Sequence, residues 1–168
     1  WELGIDYHHR FSNGLRLNVS ANVSDALTIV TKHPRKTTSV IDGSNYEGKV
    51  YGEIWGFTTD RLFQESDFDE NGNLLPGIAT QTYFENSGYK YKYGPGDVKY
   101  MDLDGNGEIN WGDKTVENHG DWSRIGNATP RYEYNFKIGV DWKGIDLNIF
   151  FQGVGSRQYW ATGSMMIP

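Results

Sequence analysis

Several features are scarce or missing in this chain of 168 residues, and each absence excludes a class of protein. Cysteine is absent, which excludes a disulfide scaffold, thiolate metal sites and a cysteine nucleophile. Basic residues are outnumbered and the formal net charge is -6, whereas nucleic-acid-binding domains usually carry a basic patch, so we expect no nucleic-acid partner. No run of about 18 apolar residues occurs, so the sequence predicts no transmembrane helix.

Catalytic motifs are missing as well. The four histidines are scattered, and none has the H-E-x-x-H spacing of a zinc protease. The stretch GVGSRQ at residues 153–158 lacks the second flanking glycine of a nucleophile elbow. We therefore expect that the chain is not an enzyme.

Aromatic residues, glycine and strict alternation dominate what the chain does contain. Aromatic residues make up 15% and glycine occurs 21 times, a composition that favours an all-β protein with many turns. Apolar and polar residues alternate along residues 1–9 and 15–24, on either side of an Asn13-Gly14 turn. Residues 132–142 and 145–152 repeat this pattern around Lys143-Gly144. The sequence therefore predicts two antiparallel hairpins and no helix of useful length.

The lengths of the strands and loops favour a membrane barrel. A soluble sandwich, whose strands also alternate apolar and polar residues, is the alternative. Strands of about 10 residues suffice to cross a membrane at a tilt. Outer-membrane barrels combine short periplasmic turns with long extracellular loops, and the two short turns here flank a long excursion. We predict part of a transmembrane β-barrel with antiparallel strands and a long extracellular loop region. The predicted segments are a barrel hairpin at 1–24, the extracellular loop region at 25–130, a second barrel hairpin at 131–154 and the start of a further extracellular loop at 155–168.

The stretch DLDGNGEINWGD, residues 102–113, has the spacing of a calcium-binding loop. Gly107 supplies the sharp turn, and Ile109 is expected to anchor the loop to a neighbouring strand. Asp113 replaces the glutamate of EF-hand loops and no helix flanks the loop, so a polar turn without an ion is the alternative. We predict a structural Ca²⁺ that braces the excursion. The expected ligands are Asp102, Asp104, Asn106, Glu108 through its backbone carbonyl, Asn110 and Asp113.

Four stretches, taken in order, resemble the SusC/RagA-type TonB-dependent transporters of Bacteroidota over essentially the whole chain. They are LNVSANVSD, YGEIWGFTTDRLFQ, GPGDVKYMDLDGNGEIN and IGNATPRYEYNFKIGVDWKGIDLNIFFQGVGSRQYW. The family's D-x-D/N-G-x-G loop corresponds to residues 102–107, and its GNxTP stretch corresponds to residues 126–130. The last two of the four stretches are the more specific.

The resemblance implies a function that composition alone does not. It implies a large barrel in the cell outer membrane, surrounded by lipid, that imports oligosaccharides (glycans) or peptides. Its expected partners are a SusD-like surface lipoprotein, which closes the barrel, and the TonB complex, which acts through a plug and TonB box expected upstream of this segment. Four strands do not close a barrel of about 22, so further strands are expected outside the chain.

A soluble, calcium-braced carbohydrate-binding β-domain is the alternative from a different class. In that interpretation exposed aromatic side chains of the excursion stack on sugar rings. In the favoured interpretation the same side chains pack against one another inside the extracellular loops. The residues concerned are Trp55, Phe57, Tyr91, Tyr93, Trp111 and Trp122.

Overall fold

A computed structural model describes residues 1–34, 39–40, 44–81 and 92–161. Tyr91 and residues 162–168 of the predicted final loop lie outside these ranges. The described elements are β-strands together with a single 3₁₀ turn at Glu65–Asp67, which agrees with the all-β prediction. None of the described residues forms a helix with the length and hydropathy needed to span a bilayer. The strands are β1 (Glu2–Arg10), β2 (Arg16–Ser24), β3 (Glu53–Phe57), β4 (Thr59–Leu62), β5 (Val98–Tyr100), β6 (Trp122–Asn127), β7 (Arg131–Trp142) and β8 (Ile145–Ser156).

Four long strands form one antiparallel sheet in the order β1-β2-β7-β8. In the turn between β7 and β8, Lys143 and Gly144 have φ values of 50° and 84°, and two consecutive positive φ values are typical of a tight hairpin turn. β2 pairs with β7 directly, with Val19 opposite Ile138, although the long excursion separates them in the chain. The antiparallel hairpins are as predicted. Within the described residues the sheet stays open at β1 and β8 and does not close into a barrel.

The register of the sheet brings most apolar residues of all four strands to one face. Ile5 lies opposite Ala21, Ala21 opposite Phe136, and Phe136 opposite Phe151, with the last two rings stacked at 4.7 Å. Because the side-chain period of a strand is two, the rest of each apolar set lies on the same face. This apolar face is not covered by other described residues, and Ile5 is 67% exposed.

The chain divides into two compact units, of which one contains the four-stranded sheet and the other comprises Val30–Lys49 and Glu53–Ile125. The second unit, called the loop unit below, has a core of its own. Phe63, Gln81, Ile109 and Asp121 are fully buried in it. An aromatic cluster surrounds Phe57, whose ring lies 5.4 Å from Tyr100 and Trp111 and 4.9 Å from Trp122.

The aromatic residues of the excursion therefore have different roles. Phe57, Trp111 and Trp122 pack together, and Tyr93 contacts Phe63 at 5.9 Å, in agreement with the interpretation that they stabilise the loops. Trp55 has a different neighbour, the ring of His119.

An ion pair between the partly exposed Arg61 and the buried Asp67 fixes the turn that follows β4. The guanidinium of Arg61 donates two hydrogen bonds to Asp67, at 2.5 and 2.7 Å, and the backbone N–H of Gln64 donates a third at 2.8 Å. These bonds, first of all those from Arg61, lower the pKa of Asp67 from 3.8 to about 2. The Asp67 carboxylate is therefore charged at neutral pH and holds the 3₁₀ turn against β4.

Candidate functional site

The two faces of the four-stranded sheet differ in chemistry. On the polar face, Asn22 donates a hydrogen bond to Glu2 at 2.6 Å, and His8 shares one with Asn18 at 2.8 Å. Arg16 forms an ion pair with Asp141 at 2.9 Å on the same face. Side chains of neighbouring strands thus satisfy one another on the polar face, whereas the opposite face carries mainly hydrocarbon and aromatic side chains, among them Tyr7 stacked on His9. Phe150 and Val154 depart from the pattern, since both lie on the polar side and are 60% and 45% exposed.

The GNATP stretch, residues 126–130, fixes the chain where it enters β7. The Asn127 side chain and the Thr129 hydroxyl both donate to the backbone carbonyl of Tyr51, at 3.1 and 3.0 Å. Gly52, with φ of 82°, leaves room for this contact because a Cβ there would lie 2.2 Å from the Thr129 hydroxyl oxygen. The motif is therefore a structural clasp at the start of the strand.

A bidentate ion pair reinforces this entry point. The Arg131 guanidinium donates to the two carboxylate oxygens of Asp25 at 2.5 and 2.6 Å. Asp25 directly follows β2 and Arg131 opens β7, so the pair joins the two strands that the excursion separates.

The acidic loop at 102–113 is wound around its own carboxylates. Asp102 accepts hydrogen bonds from the backbone N–H groups of Gly105 and Gly107, at 2.7 and 2.8 Å. Gly107 has a φ of 83°, as expected for the glycine of the sharp turn. The N–H of Ile109 donates to the carbonyl of Thr80 at 2.7 Å as part of an isolated parallel bridge between Thr80 and Glu108, so one bridge rather than a strand anchors the loop.

Two of the predicted ligands come together with a residue that the loop spacing did not indicate. Carboxylate oxygens of Asp102, Asp104 and Asp121 all lie within 4.8 Å of one another. Asp121 is completely buried, and its oxygens accept from the backbone N–H groups of Leu103 at 2.6 Å and Asn110 at 2.9 Å. Asp121 therefore links Leu103, near the start of the loop, to Asn110 in its second half. It lies beyond the loop in the sequence and in no repeating pattern, so no local signal marks it.

The remaining predicted ligands make local contacts. Asn106 accepts from the N–H of Glu108 at 2.8 Å, and the Glu108 carbonyl accepts from the side chain of Asn110 at 3.0 Å. Asn110 accepts from the N–H of Gly112 at 2.7 Å, and Asp113 accepts from the Asn118 side chain at 2.9 Å. All the candidate ligands are oxygen atoms, the donors that Ca²⁺ prefers. The predicted calcium site stays a prediction.

Comparison with known proteins gives one similarity that bears on function. No family model matches the chain. The chain is similar to the TonB-dependent receptor P3 of Formosa agariphila, with 29% identity over 106 residues, or 63% of this chain. The matched part is 8% of the relative's length, so the chain corresponds to a small segment of that receptor. This similarity is to a TonB-dependent receptor and does not distinguish the SusC/RagA type.

Proposed function

We propose that this chain forms part of the barrel wall of a SusC/RagA-type TonB-dependent receptor in the cell outer membrane. The receptor imports oligosaccharides or peptides together with a SusD-like lipoprotein, and it is energised through the TonB complex. The observation that carries the proposal is the sheet, whose apolar side chains, apart from Phe150 and Val154, lie on one face and are exposed there. The similarity to a TonB-dependent receptor supports the same conclusion.

The exposed apolar face favours lipid as its surroundings. Leu3, Ile5, Leu147 and Phe151 are each more than half exposed. Each Å² of apolar surface left in water forgoes about 25 cal/mol, and soluble monomers rarely carry contiguous apolar patches larger than a few hundred Å². Strands of about 9–11 residues cross a bilayer, and the four strands here have nine to twelve residues. An open soluble sheet with this face in water is therefore disfavoured.

The loop unit suits an ordered structure outside the bilayer. Its buried Phe63, its aromatic cluster and its Arg61–Asp67 ion pair give it internal packing that does not require lipid. In the proposed receptor this unit faces the exterior, where the lipoprotein and the substrate meet the barrel.

Fractionation of the source cells tests the location. An antibody raised against this segment is used on inner-membrane, outer-membrane and soluble fractions, with boiled and unboiled samples. We expect a band in the outer membrane, far above 19.1 kDa, that shifts on boiling because barrels resist unfolding in detergent. A soluble band near 19.1 kDa that does not shift would contradict the proposal and favour the carbohydrate-binding domain.

Pull-down and uptake test the partner and the cargo. Affinity purification of the receptor from outer membranes is expected to recover a surface lipoprotein in about equal amount. Deletion of the receptor gene is expected to abolish uptake of a labelled oligosaccharide or peptide, and the gene supplied in trans is expected to restore it. Unchanged uptake of both cargo classes would refute the import function.

The calcium brace belongs to the same proposal as a structural element. The double substitution Asp102→Ala with Asp104→Ala is expected to increase protease cleavage within the loop unit and to abolish its protection by Ca²⁺, while outer-membrane insertion persists. Asp69→Ala is the matched control, because Asp69 also accepts from backbone N–H groups of an Asn-Gly turn but lies outside the three-carboxylate group. Equal protease resistance and metal content in the double variant and the wild type would refute the site.

A further inference from the structure

The loop unit contains a pocket of about 340 Å³ that the barrel and the acidic loop do not explain. Its walls include Tyr46, Glu47, Trp55, His119 and Arg124. Small-molecule sites occupy about 300–1,000 Å³ and combine apolar surface with a few convergent polar groups. This pocket has both the size and the mixed lining of such a site.

One buried carboxylate holds three walls of the pocket in place. The Glu53 side chain is 2% exposed, accepts a hydrogen bond from the Trp55 indole at 2.8 Å and accepts another from the Tyr46 hydroxyl. Its second oxygen lies 3.9 Å from a guanidinium nitrogen of Arg124. Burial, together with the bond to Glu53, raises the pKa of the Tyr46 hydroxyl, which therefore stays protonated and keeps donating. The pocket walls are thus fixed before a ligand arrives, which lowers the entropic cost of binding.

The pocket lining combines ring surfaces with one cation and one anion. The rings of Trp55 and His119 meet edge to face at 5.4 Å and provide an apolar wall. The Arg124 side chain is 56% exposed, and a guanidinium has five N–H donors, so donors remain for a ligand beyond the contact with Glu53. Glu47 is exposed and supplies acceptor oxygens.

This combination selects a ligand by its chemistry. Arg124 offers hydrogen-bond donors and Glu47 offers acceptors, so the lining suits a ligand that both accepts and donates hydrogen bonds better than a ligand with charge of a single sign. A sugar ring fits, since its hydroxyls both donate and accept while its C–H face packs on an aromatic ring.

We propose that this pocket binds one pyranose ring of a neutral oligosaccharide, with the ring against Trp55 and its hydroxyls on Arg124 and Glu47. The inference rests on the proposed import function and names its cargo as saccharide rather than peptide. The pocket then serves as a surface subsite that receives the oligosaccharide on the loop unit.

Titration calorimetry on the protein purified from outer membranes in detergent tests the subsite. The probes are cellotetraose, mannotetraose, xylotetraose and galactotetraose, with tetra-alanine as the peptide. At least one tetraose is expected to bind, and Arg124→Gln and Glu47→Gln are each expected to weaken it about tenfold, the loss typical of a charged hydrogen bond. Arg16→Gln is the matched control, since Arg16 is 60% exposed and forms one ion pair but lies on the sheet. It is expected to leave binding unchanged.

Three results would overturn the subsite. They are no binding of any of the four tetraoses, binding of tetra-alanine alone, and equal tetraose binding by the wild type and Arg124→Gln. The fractionation of source cells distinguishes failure of the subsite proposal from failure of the import proposal. An outer-membrane, heat-modifiable protein that binds no tetraose would refute the pocket and leave the importer. Arg124-dependent binding by a soluble protein would refute the importer and leave the pocket.

Discussion

The four-stranded sheet and the loop unit differ in the exposure of their apolar side chains. In the loop unit Phe63 is 2% exposed and Ile109 is fully buried. In the sheet Ile5 is 67% exposed and Ile145 69%, while the opposite face carries hydrogen-bonded polar side chains. The loop unit thus buries apolar side chains, as a water-soluble protein does, whereas the sheet exposes them on one face.

This difference indicates that the two regions have different surroundings. Burial of apolar groups away from water drives the folding of the loop unit. In the proposed receptor the exposed apolar face lies against lipid, as in the outward band of a membrane barrel. The contrast therefore supports the proposed receptor more directly than the length of the strands does.

The largest expected effect comes from removing core volume in the loop unit. Phe63→Ala leaves a cavity beside Phe68 and Tyr93, and such a change costs about 3–5 kcal/mol. Hydrogen exchange of peptides from residues 53–81 and 92–125, followed by mass spectrometry, is expected to show loss of protection. Ile5→Ala, an exposed site on the sheet, is expected to change that protection by no more than about 0.5 kcal/mol. Equal effects of the two variants would remove the distinction between the regions.

A somewhat smaller effect is expected from a charge on the apolar face of the sheet. Lysine at the bilayer midplane of a barrel costs about 2–4 kcal/mol, whereas lysine in the lumen costs little. Ile5→Lys is therefore expected to lower the amount of protein inserted in the outer membrane. Its neighbour Asp6 points to the other face, so Asp6→Lys is the matched control and is expected to insert normally. The reverse order of the two variants would place the polar face toward lipid.

The smallest of these effects is an acid-dependent loss of stability in the loop unit. The pKa of Asp67 is lowered from 3.8 to about 2 by Arg61, so its contribution is complete above 3.8 and is lost as the pH falls toward 2. Unfolding followed between pH 5 and pH 2 is expected to show a steeper acid decline in the wild type than in Asp67→Asn. Asp60→Asn, which alters the exposed pair with Lys99, is the control and is expected to retain the decline. Identical acid profiles for the wild type and Asp67→Asn would contradict the assignment.

The two hairpins of the sheet were predictable from the sequence because their signals are local, whereas the pairing of β2 with β7 joins strands that the excursion separates. Alternation placed Ile5 and Phe136 on the apolar face, and Lys143-Gly144 marked the hairpin turn. The loop unit was less predictable because its stabilising contacts join residues that are distant in sequence. Asp121 reaches back to Leu103 and Asn110, and no periodicity indicates that such a residue is buried.

The pocket could not be predicted from the sequence for a related reason. Glu53 lies in a short strand among aromatic and β-branched residues, and a charged residue is ordinarily expected to be solvated. Its burial follows from Tyr46 and Trp55, whose donors offset the loss of water. Trp55 is one of the aromatic residues expected in the alternative interpretation to stack on sugar, but no local pattern separates it from Phe57, Trp111 and Trp122.

The central claim, that the apolar face contacts lipid, is tested most directly by two single-cysteine variants. The chain has no cysteine of its own, so within it Leu147→Cys and Asn148→Cys each give one labelled position, on the apolar and the polar face. The protein is isolated from outer membranes, labelled with a fluorophore and reconstituted in liposomes. We predict that doxyl-labelled lipid quenches the label at 147 and that aqueous iodide quenches the label at 148. Equal iodide quenching at both positions, with no quenching by the lipid, would contradict the account.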